Sequence, residues 1–115
     1  MNEDLSIIVP VYNEAENIGR LFEEIEKYIS SVRYHAYIVY DFDEDTTVPA
    51  VRRMGKAYAE LLRNDFGRGV IHAIRKGFDA ARGSACLVMM ADGSDDLRVV
   101  PEMYRLIAAG ADIVC

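Results

Sequence analysis

Eight of the chain's 19 acidic residues fall in three short stretches: Glu14; Asp41, Asp43, Glu44 and Asp45; and Asp92, Asp95 and Asp96. Each stretch follows an apolar run that reads as a strand, so a fold that gathers those strand ends at one edge also gathers the carboxylates. Carboxylates in close company raise one another's pKa. A divalent cation removes that cost, and hard oxygen ligands with room for water and phosphate suit Mg2+ or Mn2+. An ion held in this way bridges to phosphate oxygens and stabilises charge on a departing group. The plainer reading is that acids collect in loops because loops are solvated, and that several cap helices. That reading suits Asp43, Glu44 and Asp45. Asp92 ends an otherwise apolar strand and fits the ligand reading better.

The elements that would position these acids alternate along the chain. Residues 5–11, LSIIVPV, form a short apolar run rich in β-branched residues, as in a strand buried on both faces. Asn13 followed by Glu16 has capping-box spacing, and Ile18, Leu21, Phe22, Ile25, Tyr28, Ile29 and Val32 then recur at helical intervals. Residues 36–40, AYIVY, predict a second strand. Thr46 or Thr47 caps the next helix, with Pro49 in its first turn and Val51, Met54 and Tyr58 on its apolar side. Residues 59–63 are a short, ambiguous strand. A helix from about Gly69 follows, with Val70, Ile71, Ile74, Phe78 and Ala81 on one face and Gly83 at its stop. Residues 85–91 predict a buried strand. Val99, Val100, Met103, Leu106 and Ile107 mark a last helix that ends at Gly110, and residues 111–115 begin a fifth strand. Such alternation predicts an α/β fold: a Rossmann-like, three-layer α/β/α sandwich around a mainly parallel sheet. In open sheets of this kind ligands bind beyond the carboxyl ends of the strands, where the acids lie.

Bulk properties narrow the function classes. A chain of 115 residues encloses one core, and 51% hydrophobic with 28% charged residues is the composition of an ordinary globular domain. The formal net charge of −6 comes with no basic stripe, which argues against nucleic acid as a partner. No apolar run approaches the roughly 20 residues that span a bilayer. The opening MNEDLSIIVPVYNE carries acids where a secretory signal carries positive charge. These features predict a cytoplasmic chain, peripheral at most to the inner face of a membrane. Cys86 and Cys115 lack metal-ligand spacing, and Cys86 in its apolar run reads as a buried thiol.

Several local signals have plain explanations. Gly67-Arg68-Gly69 lacks the third glycine of a dinucleotide site and follows the third strand rather than the first, so it reads as a tight turn into a helix. Arg68 suits a phosphate or an exposed surface equally. His35 and His72 have no partner at metal or triad spacing, and Gly77 predicts close helix–sheet packing. The five methionines read as core, and neither a nucleophile elbow nor a P-loop is present.

Four blocks in their order carry a resemblance. IIVPVYNEAENI at 7–18 resembles the opening strand and loop of family 2 glycosyltransferases, which have the GT-A fold. Within that family it is most similar to the dolichol- and polyprenol-phosphate sugar transferases. YDFDEDTT at 40–47 resembles the family's second-strand ending, with Asp41 and Asp45 matching and Tyr40 in place of the first acid of a pair. RNDFGRGVIHAIRKGFDAARG at 63–83 resembles its Arg-Asn, glycine-rich turn and following helix. MADGSDD at 90–96 stands where the family keeps a metal-binding Asp-x-Asp, with Asp92 as the second acid and Met90 in place of the first.

The resemblance implies site roles residue by residue. The backbone at Pro10 and Val11, with Tyr12 and Glu14, would line a nucleotide pocket. Asp41 would contact the base and Arg63 would lie near the nucleotide. Asp92 would hold Mg2+ or Mn2+ on the diphosphate, with Asp95 and Asp96 as the remaining candidates for that ion. The family's catalytic base comes later in the domain, and no candidate for it precedes Cys115. The expectation is one nucleotide-sugar-binding domain over residues 1–115 that stops inside a strand-like run, short of a complete domain. Its donor would be a UDP- or GDP-sugar and its acceptor a polyprenyl or dolichyl phosphate at a membrane surface, with inverting displacement as the reaction. The rival reading is a catalytically incomplete module that binds nucleotide or self-associates into a homo-oligomer through an exposed strand edge. A signalling receiver domain shares this length and an acidic pocket. It needs an acidic pair after strand one and an Asp phosphoacceptor after strand three, whereas these strands end in PVYN and RND.

Overall fold

The run LSIIVP becomes strand β1 (Leu5–Pro10), and all six of its residues are buried, as in a strand covered on both faces. The structure, a computed structural model, describes residues 3–115. β1 pairs in parallel with β2 (Tyr34–Tyr40) on one side and β4 (Ala85–Val88) on the other, and β2 pairs in parallel with β3 (Ala59–Arg63). The sheet order is β3-β2-β1-β4. Helices α1 (Ile18–Tyr28), α2 (Thr47–Met54), α3 (Val70–Ala80) and α4 (Val100–Ala108) complete the fold, with a 3-10 turn over Leu97–Val99 before α4.

Strand alternation divides the core in two. Leu5, Ile7 and Val9 join Ile18, Leu21, Phe22 and Ile25 of α1, Ala50 and Val51 of α2, and Leu97 and Val100 on one face. Ile8, Tyr37 and Val39 meet Ala73 of α3 on the other. The expected three layers are present. α1 and α2 carry the chain outward from β1 to β3 on one face, and α3 carries it back across the other face to β4, as right-handed crossovers require when the strand order reverses.

Several local expectations are corrected. α1 begins at Ile18 and ends at Tyr28, so Asn13 and Glu16 form no capping box. Asn13 instead adopts a positive φ of 50°, and the Glu14 carbonyl accepts the amides of Asn17 (3.0 Å) and Ile18 (2.9 Å) in a separate turn. Neither Thr46 nor Thr47 caps α2 with its side chain. That helix stops at Gly55, whose φ of 60° is left-handed, so Tyr58 lies beyond it and packs edge-on against Phe22 and Tyr34.

On α3 the buried residues are Ala73 and Gly77, not the bulky apolar ones: Ile71 is 66% and Phe78 49% exposed. The reason is steric. A Cβ at Gly77 would stand 2.4 Å from Ile8 Cγ2, so only the small side of the helix fits that close to the central strand. α3 ends at Ala80, with Ala81 extended, before Gly83 is reached. β4 stops at Val88, and residues 111–115 pair with no strand among the described residues. β4 is therefore one edge of the sheet, as β3 is the other, and Cys86 on it is exposed rather than buried.

Candidate functional site

β1 is where the strand order turns, since its own connection leaves toward β2 while β4 lies on its other side. The loops after these two strands diverge and leave a crevice between them, the usual ligand position in open α/β sheets. An open cleft of ≈ 170 Å³ occupies it, lined after β1 by Pro10, Val11, Tyr12 and Glu14, after β2 by Asp41, and after β4 by Met90, Ala91 and Asp92. The first turn of α3 completes the wall with Gly69, Val70 and Ala73. Six of the seven residues expected to meet a nucleotide thus line one cleft. The seventh, Arg63, does not.

The rim is fastened by side chains from distant parts of the chain. Asp45 is fully buried and its Oδ1 accepts the amides of Thr47 (2.8 Å) and Asn13 (3.1 Å). One carboxylate therefore starts α2 and anchors the loop after β1, which corrects the solvated-loop reading of Asp45. The Thr47 hydroxyl accepts the Glu14 amide at 2.8 Å, and the Asn13 side-chain oxygen accepts the Thr46 amide at 3.0 Å. Tyr12 is left 70% exposed at the mouth, with its ring 5.6 Å from that of Phe42.

Asp41 holds the opposite wall. Its Oδ1 accepts from Asn64 Nδ2 at 2.7 Å and its Oδ2 from the Gly69 amide at 3.1 Å, so the carboxylate pins the glycine-rich turn to the end of β2. Asn64 is buried and also donates to the Gly67 carbonyl at 2.6 Å. Arg63 reaches away from the cleft: Nε donates to Asp43 at 3.1 Å, and Nη1 donates to the carbonyls of Asp41 and Asn64. Asn64, Gly69, Val70, Ala73 and Phe42 carried no site role in the sequence, where Gly69 reads only as a turn into the helix and Val70 only as part of its apolar face. Asn64 did sit inside a matching block, and its amide, able to donate and accept at once, was the available signal.

The acids after β4 separate. Asp92 is exposed at the cleft, and bonds from the Ser94 hydroxyl and amide hold its carboxyl below the usual carboxylate range. Asp95 accepts the Met90 amide at 2.7 Å, and Asp96 is engaged by Arg98 through Nε and Nη2, both at 2.9 Å. Among the described residues no three acids, histidines or cysteines converge to hold a metal. Yet the cleft lining includes Glu14, Asp41 and Asp92 and no lysine or arginine, so a polyanion would enter against unscreened negative charge. One carboxylate plus phosphate oxygens and water is the donor set on which Mg2+-like ions are commonly held. Asp92 fits that arrangement, and an all-protein cage does not.

The family model described as glycosyl transferase family 2 matches residues 6–115. Over 110 residues the chain is 31% identical to dolichol-phosphate mannosyltransferase of Pyrococcus furiosus, covering 95% of this chain and 31% of that protein. It is 28% identical over 114 residues to the prophage bactoprenol glucosyl transferase homolog of Escherichia coli, covering 96% of this chain and 37% of that one. Among solved structures, glucosyl-3-phosphoglycerate synthase from Mycobacterium tuberculosis, in complex with Mn2+, UDP-glucose and phosphoglyceric acid, is similar with a TM-score of 0.73. It is 16% identical, and the match covers 97% of this chain and 42% of that one. At that identity the likeness is one of fold. The chain spans about a third of the length of these curated relatives.

Proposed function

Because the chain belongs to glycosyl transferase family 2, we propose that it forms the donor-binding part of an enzyme that transfers a sugar from a UDP- or GDP-sugar to an acceptor by metal-assisted inverting displacement. The proposed acceptor is a polyprenyl or dolichyl phosphate, by analogy with the named activity of the Pyrococcus relative. The observation that carries the reading is the cleft at the turning point of the sheet, lined by three carboxylates and no basic side chain. A nucleoside diphosphate is a polyanion, and a site of this charge accepts it together with a divalent cation.

In this reading the nucleotide lies against the backbone of Pro10 and Val11, with the Tyr12 ring free to stack at the mouth. Asp41 shapes the wall through Asn64 and Gly69 and presents its remaining lone pairs to the base. Asp92, whose carboxylate accepts from Ser94, is the protein ligand to Mg2+ or Mn2+. That ion supplies charge neutralisation on the diphosphate and so stabilises the leaving nucleotide. An acceptor oxygen forms its bond to the anomeric carbon as the bond to the diphosphate oxygen breaks. A phosphate acceptor is already anionic at neutral pH and needs no base for that step. Among the described residues no helix is long and apolar enough to cross a membrane, and a lipid-linked acceptor would be met at the bilayer surface.

Calorimetric titration with UDP and GDP, with and without Mn2+, tests the reading. Binding of one nucleotide, strengthened by Mn2+ and weakened to the metal-free level in Asp92→Ala, is expected. Failure of both nucleotides to bind at millimolar concentration would sink it. Binding without sugar transfer to a polyprenyl phosphate would reduce the chain to a binding module.

A further inference from the structure

Because α3 packs on the sheet through Ala73 and Gly77, its outer side faces solvent. Ile71 and Arg75 are exposed there one turn apart, and Phe78, half exposed on the next turn, also borders the groove beside β4. Arg68 and Arg82, also exposed, lie on the turns just before and just after the helix. None of these three arginines forms an ion pair among the described residues. Lys76, by contrast, is committed to Asp65 at 3.0 Å. With Lys76 neutralised by Asp65, the three arginines Arg68, Arg75 and Arg82 oppose one acid, Asp79, over residues 68–82, a local charge of +2 in a chain whose formal net charge is −6.

We propose that this side of α3 docks on an anionic phospholipid surface. Charge complementarity selects the occupant. Unpaired guanidinium groups meet lipid phosphates, and the apolar side chains between them enter the headgroup region, the pattern of helices that lie in a membrane interface. A second copy of this chain fits poorly, because two such faces would bring six unpaired arginines together. The docking stands independently of the donor reading but adds to it. Gly69 and Val70, at the N-terminal end of this helix, line the cleft, so docking through α3 would bring that end of the cleft near the lipid surface where the proposed acceptor resides.

Co-sedimentation of the chain with vesicles of phosphatidylcholine alone, or with added phosphatidylglycerol, tests this without nucleotide present. Binding should require phosphatidylglycerol and fall with rising salt. The triple variant R68Q/R75Q/R82Q should partition about 100-fold less, at about fivefold per charge. I71S/F78S should lose at least about tenfold. The arginine variant alters exposed side chains and should melt with the parent, which separates lost docking from lost folding; I71S/F78S is melted beside it because Phe78 also borders the groove along β4. The proposal is overturned by equal binding to neutral vesicles, by no binding to either, or by variants that bind like the parent. A dimer that I71S/F78S abolishes, seen by sedimentation without vesicle binding, would assign the face to a second copy instead. Nucleotide titration of the same samples distinguishes failure here from failure of the donor reading.

Discussion

Asp41 and Gly69 lie 28 positions apart, and the Gly69 amide donates to Asp41 Oδ2 across 3.1 Å while Asn64 occupies the other carboxylate oxygen. Both partners are donors, so an amide in place of the carboxylate satisfies only one of them. Asp41→Ala and Asp41→Asn should each destabilise the fold by about 1–2 kcal/mol and loosen the wall formed by residues 64–69. Urea denaturation measures the first effect and amide hydrogen exchange over that loop the second. An unchanged midpoint in both variants would count against the role.

Asp45 should discriminate between the same two replacements. Its Oδ1 makes both bonds and its Oδ2 has no partner among the described residues. Asp45→Asn keeps the accepting oxygen and removes a buried charge, whereas Asp45→Ala abandons the amides of Asn13 and Thr47. The alanine variant should lose about 2 kcal/mol and the asparagine variant clearly less, by thermal or urea unfolding. Equal losses would show that the hydrogen bonds are not what Asp45 contributes.

Gly77→Ala sets helix propensity against packing. Alanine gains about 1 kcal/mol in an isolated helix. Here its Cβ would stand 2.4 Å from Cγ2 and 2.8 Å from Cγ1 of a buried, β-branched Ile8 on the central strand, which cannot swing aside. Overpacking costs about 1–3 kcal/mol, so a net destabilisation is expected. Adding Ile8→Ala should make Gly77→Ala neutral or stabilising, and a double-mutant cycle reads the coupling.

Met90 lines the cleft beside Asp92. Met90→Asp should bring a second carboxylate toward the ion that Asp92 is proposed to hold and raise Mn2+ affinity in the presence of nucleotide by at least about tenfold. Asp96→Ala should leave it unchanged, because Arg98 already engages that side chain. Calorimetry compares the three proteins.

Alkaline pH should weaken the fold. Burial, then the bond to Glu3, pushes the Tyr37 phenol from 10.0 up to about 12, and burial raises Tyr34 and Tyr58 as well. Between about pH 10 and 12 the unfolded chain releases a proton that folded Tyr37 retains. Stability present below pH 10 is therefore lost progressively as pH rises through that window. Melting temperatures measured from neutral pH to about 12 should fall there, and less steeply in Tyr37→Phe.

The alternation of elements, the parallel sheet and the placing of Glu14, Asp41 and Asp92 at strand ends were legible in the sequence. They follow from apolar runs and helical spacing, which are local properties of the chain. The four blocks between residues 7 and 96 were likewise enough to point to the family. Strand order β3-β2-β1-β4, the packing of α3 through Ala73 and Gly77 and the start of α1 at Ile18 belonged to the tertiary structure. So did the burial of Asp45, the diversion of Arg63 to Asp43 and the dispersal of Asp95 and Asp96 to separate partners. Each depends on a neighbour supplied by another part of the fold or on how closely two backbones approach. Residue spacing encodes which side chains share a face, whereas the partner that each one meets is decided only when the faces are brought together.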